Sequence, residues 1–290
     1  MFKNLFINGL VLVSLWLQGC DSVISQSSKT EIKSATPQLQ KNDFPKQQKV
    51  EFRGVSFSYN PQVLGEVKSE EVAESPLKNE TDKPDYVAPQ HILFKLKNSK
   101  INRETVVYVF PIEDYRRMYP VSSKYDYRQQ FDEELKGLQK VIKDKNFRIK
   151  NQIPFILYYD AHQTIQAKVK HLAFQSGRGI FFLTQYDQDF ANLVNNEGLT
   201  YIFQGITNDE KNYILAEFPV TASFLPSNYY DNEFENYELP QNYSEYKANK
   251  KQYQEYIAKI TKRLENLPQN EFEPNLRYFE ELISSLKVEK

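Results

Sequence analysis

Between residues 164 and 220, four short segments rich in apolar side chains are separated by polar connections, and the first of them, residues 164–174, alternates apolar and polar side chains. Residues 164–174 lead through Ser176-Gly177-Arg178-Gly179 into residues 180–186, and residues 199–207 lead through Asn208-Asp209-Glu210-Lys211 into residues 213–220. Alternation with a period of two is typical of half-buried strands, and a short polar connection between two such runs is typical of a hairpin. This stretch therefore predicts an antiparallel sheet of at least four strands.

Three other stretches repeat their apolar side chains at helical spacing, namely residues 124–146, 244–267 and 274–286. In the first of them, Tyr127 and Phe131 share one face, while lysine and acidic side chains fall elsewhere. We interpret that face as core rather than as a groove for a partner. The sequence thus predicts an α+β fold, a largely antiparallel β-sheet packed by about three helices, in a single domain of residues 49–290.

The part of this domain before residue 124 has weaker strand patterns. Residues 50–59 predict one strand with a bulge at Gly54. Residues 66–90, which are rich in charge and proline, predict a long surface excursion. Residues 92–96 predict a half-buried strand, and the nearly continuous apolar run 105–112 predicts a central strand that is covered on both faces.

The first twenty residues have the pattern of a secretory signal: Lys3, an apolar run from Leu5 to Leu17, and small residues before Cys20. The run is shorter than the roughly 20 apolar residues that span a bilayer. Leu17-Gln18-Gly19-Cys20 resembles the box of bacterial lipoprotein signal peptides, which are cut before a lipidated cysteine. The resemblance implies a signal peptide at residues 1–19 and a lipid-modified Cys20 as membrane anchor, and Asp21 favours the inner membrane. An uncleaved anchor and an ordinary cleaved signal are the alternatives.

Residues 20–48 are polar and predict a flexible tether between the anchor and the domain. We therefore expect a protein of the cell envelope, anchored in a membrane and facing the periplasm or the cell exterior. The formal net charge is −1 and no basic patch stands out, which makes nucleic acid a poor partner. Cys20 is the single cysteine, so the folded part has no thiol for a disulfide or a metal site, and we predict no cofactor.

The sheet region also contains a block of short motifs. They are Phe174-Gln175, Gly177-x-Gly179-Ile180, Leu183-Thr184-Gln185-Tyr186, Asn195-Asn196 and Phe203-Gln204-Gly205-Ile206-Thr207-x-Asp209. This block resembles an uncharacterised family of exported bacterial proteins and lipoproteins, in which a glycine follows the last aspartate where this chain has Glu210. The resemblance implies export and a shared β-rich domain, and it implies no activity.

Asp160-Ala161-His162 fits part of a hydrolase triad, in which an aspartate orients a histidine. No Gly-x-Ser-x-Gly nucleophile motif accompanies the pair, and a loop histidine beside a surface aspartate is the simpler interpretation. His91 and His171 belong to no His-x-x-x-His or Glu-x-x-His pair, so a zinc site lacks support. The sequence therefore assigns no catalytic residue.

Two loops contain groups that bind ions in other proteins. Oxygen ligands of the kind that calcium uses occur at Asp187, Asp189, Asn195, Asn196 and Glu197. The glycine and the last glutamate of an EF-hand loop are missing, which favours a solvated hairpin connection, and we predict no metal site. The Ser176–Gly179 connection offers backbone N–H groups and Arg178 to an anion, although two glycines there are more often simple turn residues.

Tyr229, Tyr230 and Tyr237 lie among acidic residues and are the strongest surface candidate for a ligand site. Clustered tyrosines beside carboxylates are typical of platforms that hold sugars or peptides, and rings that simply cap the sheet are the alternative. The sequence as a whole predicts a non-enzymatic binding or assembly role, with the membrane and an envelope protein, glycan or peptide as partners. The alternatives are an envelope hydrolase that uses Asp160 and His162, and a glycan- or peptide-binding module that uses these tyrosines.

Overall fold

The structure, a computed structural model, describes residues 47–289 except 78–86, 98–102, 120–125, 145–151, 157–160, 189–191 and 229–242, and without the side chains of residues 243–246. All described residues belong to one compact unit, residues 44–290. The signal segment, Cys20, Asp21 and nearly all of the tether lie outside the described residues. What the sequence predicts for them stays a prediction.

The described residues form fourteen strands and five α-helices. The strands are β1 (Gln48–Phe52), β2 (Val55–Tyr59), β3 (Glu66–Val72), β4 (His91–Lys97), β5 (Thr105–Pro111), β6 (His162–Gln163), β7 (Ala167–Phe174), β8 (Gly177–Thr184), β9 (Tyr186–Asp187), β10 (Thr200–Thr207), β11 (Asn212–Pro219), β12 (Thr221–Ala222), β13 (Phe272–Glu273) and β14 (Lys287–Val288). The helices are α1 (Pro61–Leu64), α2 (Ile112–Arg117), α3 (Tyr127–Lys143), α4 (Tyr243–Asn266) and α5 (Leu276–Ser285), and a 3₁₀ turn lies at Gln269–Glu271. Within the described part of the chain, no helix combines the length and the apolar character that crossing a membrane requires.

Seven strands form one antiparallel sheet in the order β3-β4-β5-β11-β10-β8-β7. Both predicted hairpins are present in it, since β7 pairs with β8 and β10 pairs with β11. The predicted central strand is confirmed as β5, which lies between β4 and β11. The predicted α+β class with a largely antiparallel sheet is therefore confirmed.

The sheet separates two hydrophobic cores, because successive side chains of a strand point to opposite faces. On one face, residues such as Phe181 and Phe218 pack against α4, α5 and the β1–β2 hairpin. The rings of Phe218 and Phe279, which belongs to α5, are stacked with centroids 4.4 Å apart. On the other face, residues such as Phe182 pack against α2, α3 and the loop 152–156. Helices thus cover both faces of the sheet.

The three predicted helices are confirmed to within a few residues as α3, α4 and α5. Asp126 caps α3 by accepting the backbone N–H of Gln129 at 3.3 Å, and Asn275 caps α5 by accepting that of Arg277 at 3.0 Å. Such caps satisfy N–H groups that the first turn of a helix leaves without a partner. Phe131 of α3 is buried in the second core, as its place on the apolar face predicts.

The single strand predicted over residues 50–59 is wrong, because the chain forms the hairpin β1–β2 there. Its two turn residues, Arg53 and Gly54, have φ of 52° and 77°, and a two-residue hairpin turn of this kind needs positive φ at both positions. Residues 66–72, predicted as part of a surface excursion, form the edge strand β3, in which charged side chains alternate with the half-buried Val67. Charge on an edge strand hinders pairing with other chains.

Gly177 and Gly179 do not form the predicted hairpin turn, which lies at residues 175–176, and instead they begin β8. The anion-binding turn that depends on these glycines therefore does not form. A Cβ on Gly177 would lie 2.5 Å from Cζ of Phe174, and a Cβ on Gly179 would lie 2.4 Å from Cζ of Phe203. The glycines leave room for two buried aromatic rings to lie across the strand.

The β10–β11 connection spans residues 208–211, as predicted. Oδ1 of Asp209 accepts the hydroxyl of Thr207 at 2.7 Å and the backbone N–H of Lys211 at 3.2 Å. Glu210 has φ of 57°, in the left-handed region that favours glycine. A glycine at this position would adopt the same conformation without strain.

Candidate functional site

A cavity of about 390 Å³ lies between α3, the loop 152–156 and the short strand pair β6–β9. We call it the α3 cavity. Its lining residues are Tyr119, Tyr127, Gln130, Phe131, Glu134, Gln152, Ile153, Pro154, Phe155, Ile156, Ala161, Gln163 and Tyr186. Cavities that hold small molecules typically measure roughly 300–1,000 Å³ and combine apolar walls with a few polar groups, so the α3 cavity suits a small ligand.

A second depression, of about 420 Å³, lies where the β7–β8 and β10–β11 turns meet β14. Its lining is mainly polar and includes Ser176, Asp209, Lys287 and Glu289. No aromatic ring is among the described residues that line it. Since aromatic faces supply much of the contact area in ligand sites, the α3 cavity is the stronger candidate.

Five aromatic rings form the walls of the α3 cavity. Tyr119 and Tyr127 have centroids 6.3 Å apart with an interplanar angle of 47°, and Phe155 and Tyr186 have centroids 5.4 Å apart with an angle of 55°. The ring of Phe131 lies 6.0 Å from that of Tyr119. Burial raises the pKa of Tyr119 to about 12, so its hydroxyl stays protonated at neutral pH.

Glu134 is the sole acidic or basic side chain among the described lining residues. Burial raises the pKa of its carboxyl group, a hydrogen bond from the backbone N–H of Phe155 lowers it, and the negative charge of Glu133 raises it again. The pKa therefore lies above its ordinary value. Burial in the cavity thus opposes the charged form of this carboxyl group.

Gln163 supplies a second polar group of the cavity. Its Oε1 accepts the backbone N–H of Ile153 at 3.1 Å, which fixes the loop 152–156 to β6. Its Nε2 is buried and has no hydrogen-bond partner among the residues that the structure describes. A buried donor without a partner costs about 1–3 kcal/mol. Gln163 Nε2 is therefore the lining atom that a hydrogen-bond acceptor of a ligand would satisfy.

The loop 152–156 is also held from the sheet side, by Gln204 of β10. Its Nε2 donates to the carbonyl oxygen of Pro154 at 2.9 Å, and its Oε1 accepts the hydroxyl of Tyr213 at 2.7 Å. Gln204 is fully buried and belongs to the block of short motifs between Phe174 and Asp209. Part of that block thus positions one wall of the cavity.

His162 lies beside the α3 cavity rather than among its lining residues, which include its neighbours Ala161 and Gln163. It is half-buried and lies opposite Asp187 in the β6–β9 register. Asp160, the other member of the predicted pair, lies outside the described residues. The hydrolase therefore stays a prediction.

The oxygens of Asp187, a candidate calcium ligand, accept hydrogen bonds from protein groups. Their donors are the hydroxyl of Thr164, Nε2 of Gln185 at 2.9 Å and Nδ2 of Asn192 at 3.1 Å. These bonds fix the β8–β9 connection. Among the described residues, no group of three or more His, Cys, Asp or Glu side chains is arranged to hold a metal ion.

The remaining candidate calcium ligands have comparable roles. Oδ1 of Asn195 accepts the N–H of Gly198 at 2.9 Å, and Oδ1 of Asn196 accepts the N–H of Ala222 at 2.8 Å. Glu197 is exposed, and Asp189 lies outside the described residues. The two asparagines therefore hold the chain that connects β9 to β10.

The other two histidines tie strands to neighbouring segments. Nδ1 of His91 lies 2.8 Å from the carbonyl oxygen of Pro89, and burial lowers the pKa of this ring. Nε2 of His171 lies 2.8 Å from the carbonyl oxygen of Val141 in α3. Arg178 is exposed on β8.

Tyr229, Tyr230 and Tyr237 lie outside the described residues, so the site predicted there stays a prediction. The sequence analysis did not identify the α3 cavity. The one feature that could have indicated it is an acidic residue, Glu134, on the apolar face of α3, four residues before the buried Leu138.

Comparison with protein-family models, with curated proteins and with solved structures found no match to the chain.

Proposed function

We propose that the protein is a non-enzymatic binding protein of the bacterial cell envelope, anchored through a lipid on Cys20, which holds a small molecule in the α3 cavity. The observation that carries the binding role is a cavity with five aromatic rings and one carboxylate in its lining. The anchor is inferred from Leu17-Gln18-Gly19-Cys20 alone.

The lining supports binding rather than catalysis. Among its described residues there is no Ser, Thr or Cys that would serve as a nucleophile and no His that would serve as a base. The rings instead offer apolar faces, and Glu134 and Gln163 offer one acceptor and one donor. This combination suits a compact ligand with a flat or rounded apolar part and a polar edge.

The test is to fill the cavity without removing any of its polar groups. Ala161 is half-buried and lines the cavity, so Ala161→Trp places an indole in the space that a ligand would occupy. Ala173, an exposed residue of β7 outside the lining, provides the matched control Ala173→Trp. A panel of small polar and aromatic compounds is screened against the purified full chain by the shift of its unfolding temperature and by calorimetric titration.

We expect compounds that stabilise the wild-type protein and the Ala173→Trp variant but not the Ala161→Trp variant. Unfolding of both variants without ligand shows whether the fold is kept. If no compound in a chemically varied panel binds in a way that Ala161→Trp abolishes, the binding role is wrong.

The anchor has its own test. Cells grown with radioactive palmitate should label the wild-type chain and leave the Cys20→Ser variant unlabelled, and the variant should leave the membrane without detergent. Equal labelling of the two chains would refute lipidation at this position.

A further inference from the structure

The charge of the α3 cavity limits the kind of ligand that it accepts. Glu134 brings a negative charge, and no Lys, Arg or His occurs among the described lining residues. An anionic ligand would therefore be repelled, and a neutral ligand would leave the half-buried carboxylate without a counter-charge.

The rings favour a cation for a second, independent reason. Cations are attracted to the negative face of an aromatic ring within about 6 Å of its centroid. The two inclined pairs, Tyr119 with Tyr127 and Phe155 with Tyr186, have centroid separations of 6.3 and 5.4 Å. All four rings line the same cavity, so a compact cation held there lies next to several rings at once. Rings around one carboxylate are a suitable arrangement for a positive charge that is spread over methyl or methylene groups.

Gln163 adds a requirement on the rest of the ligand. Its buried Nε2 lacks an acceptor among the described residues, while its Oε1 is used by Ile153. A ligand that brings an oxygen to this atom would satisfy it, and a ligand without an oxygen would keep it unsatisfied.

We propose that the ligand of the α3 cavity is a small organic ammonium compound that also carries a hydroxyl or carbonyl oxygen. The aromatic rings and Glu134 hold the ammonium group, and Gln163 donates to the oxygen. This inference rests on the binding role proposed above and gives that role a ligand class. No covalent step is involved.

The probes are choline and 3,3-dimethylbutan-1-ol, which have the same shape and differ in the positive charge. Each is titrated calorimetrically into the purified full chain, with sodium chloride added to equalise the ionic strength. We expect choline to bind at least about tenfold more tightly than the neutral alcohol. Tetramethylammonium, which lacks the oxygen, should bind more weakly than choline.

Glu134→Gln is the informative variant, because it keeps the size of the side chain and removes the charge. Its matched control is Glu133→Gln, which makes the same change one residue away on α3 at an exposed position outside the lining. We expect Glu134→Gln to lower the affinity for choline about tenfold and to leave that for the neutral alcohol unchanged, and Glu133→Gln to change both by less than about twofold. Thermal unfolding of each variant checks that the fold is kept.

Three outcomes would overturn the ammonium assignment: no binding of choline, equal affinity for choline and the alcohol, or equal loss in the two glutamine variants. The binding role would survive them if another compound, such as a neutral saccharide, binds to the wild type and not to Ala161→Trp. If nothing binds in that way, the assignment and the binding role both fail.

Discussion

We expect Gly179→Ala to destabilise the protein by about 3 kcal/mol, since β8 has no space for a methyl group at this position. An added Cβ would lie 2.3 Å from the carbonyl oxygen of Gln204 and 2.4 Å from Cζ of Phe203. Ordinary contacts between such atoms need about 3.5 Å, so each neighbour would have to move by about 1 Å. Neither moves freely, because β10 pairs with strands on both sides and Phe203 is fully buried.

The magnitude has two parts. Forcing a methyl group into a packed core costs about 1–3 kcal/mol, and shifting a carbonyl group in the middle of a sheet weakens a neighbouring hydrogen bond by about 1 kcal/mol more. Small proteins have a total stability of about 5–15 kcal/mol. The variant should therefore lose a large share of its stability and should still fold at low temperature.

The assay is equilibrium unfolding in urea, followed by circular dichroism, with Gly137→Ala as the matched control. In α3, an added Cβ at Gly137 would lie 3.0 Å from Cγ of Pro154 in the loop 152–156, and the helix gains about 1 kcal/mol from the alanine. We expect the control to change stability by less than about 1 kcal/mol. If Gly179→Ala also changes stability by less than about 1 kcal/mol, with an unchanged urea slope, the close approach of β8 to β10 is wrong.

Three further changes test other parts of the structure by urea unfolding. Glu210→Gly should stabilise the protein by about 0.5–1 kcal/mol, because glycine adopts the left-handed turn conformation without strain, and destabilisation would contradict that turn. Tyr201→Phe should cost about 1.5 kcal/mol, because the buried carboxylate of Glu280 loses the hydroxyl donor at 3.1 Å, and an unchanged midpoint would show that this bond contributes nothing. Arg103→Met should cost about 2–3 kcal/mol at pH 7. Burial raises the pKa of Glu217, and the positive charge of Arg103 lowers it by stabilising the carboxylate. The guanidinium also donates hydrogen bonds to Oγ1 of Thr200 and to the carbonyl oxygen of Leu199. A carboxyl group whose pKa is raised by folding contributes stability at low pH, which is lost as the pH rises through the folded value. The charge of Arg103 stabilises only the ionised carboxylate, so this cost should shrink as the pH falls through the folded pKa of Glu217, which lies above its ordinary value, and a constant cost across the range would refute the coupling.

Strand alternation and helical periodicity predicted the central architecture well, because these patterns record which face of an element is buried. The hairpins at 164–186 and 199–220 and the helix at 124–146 are all found. The block of motifs from Phe174 to Asp209 is explained by packing: its glycines make room for rings, and Gln204 holds a loop from the core. Such roles depend on which strand or loop lies next to each residue, and a single sequence does not reveal those neighbours.

The errors and omissions share one physical cause, which is contact between segments far apart in sequence. Residues 66–72 are charged enough to suggest a loop, yet they pair with β4 and gain their order from it. The α3 cavity is assembled from α3, Tyr119 just after α2, the loop 152–156 and the β6–β9 pair. No one of these segments contains a recognisable motif, and Glu134 becomes noticeable only when Phe155 and the rings are placed around it.

Residues 276–289 form α5 and β14, and β14 adds the third strand to the sheet of β1 and β2. The N–H of Ser58 donates to Oγ of Ser285 at 2.8 Å across a sequence separation of 227, and Val288 lies opposite Val55 in the β2–β14 pair. Ribosomes deliver polypeptide from the amino end, so the first hairpin is synthesised long before the segments that cover it. Contacts between segments so far apart in sequence form slowly, and until they form, the apolar side chains of β2 are partly exposed. Premature self-association during biogenesis is therefore the hazard of this topology, and loss of residues 276–289 would permanently expose the part of β2 that α5 and β14 cover.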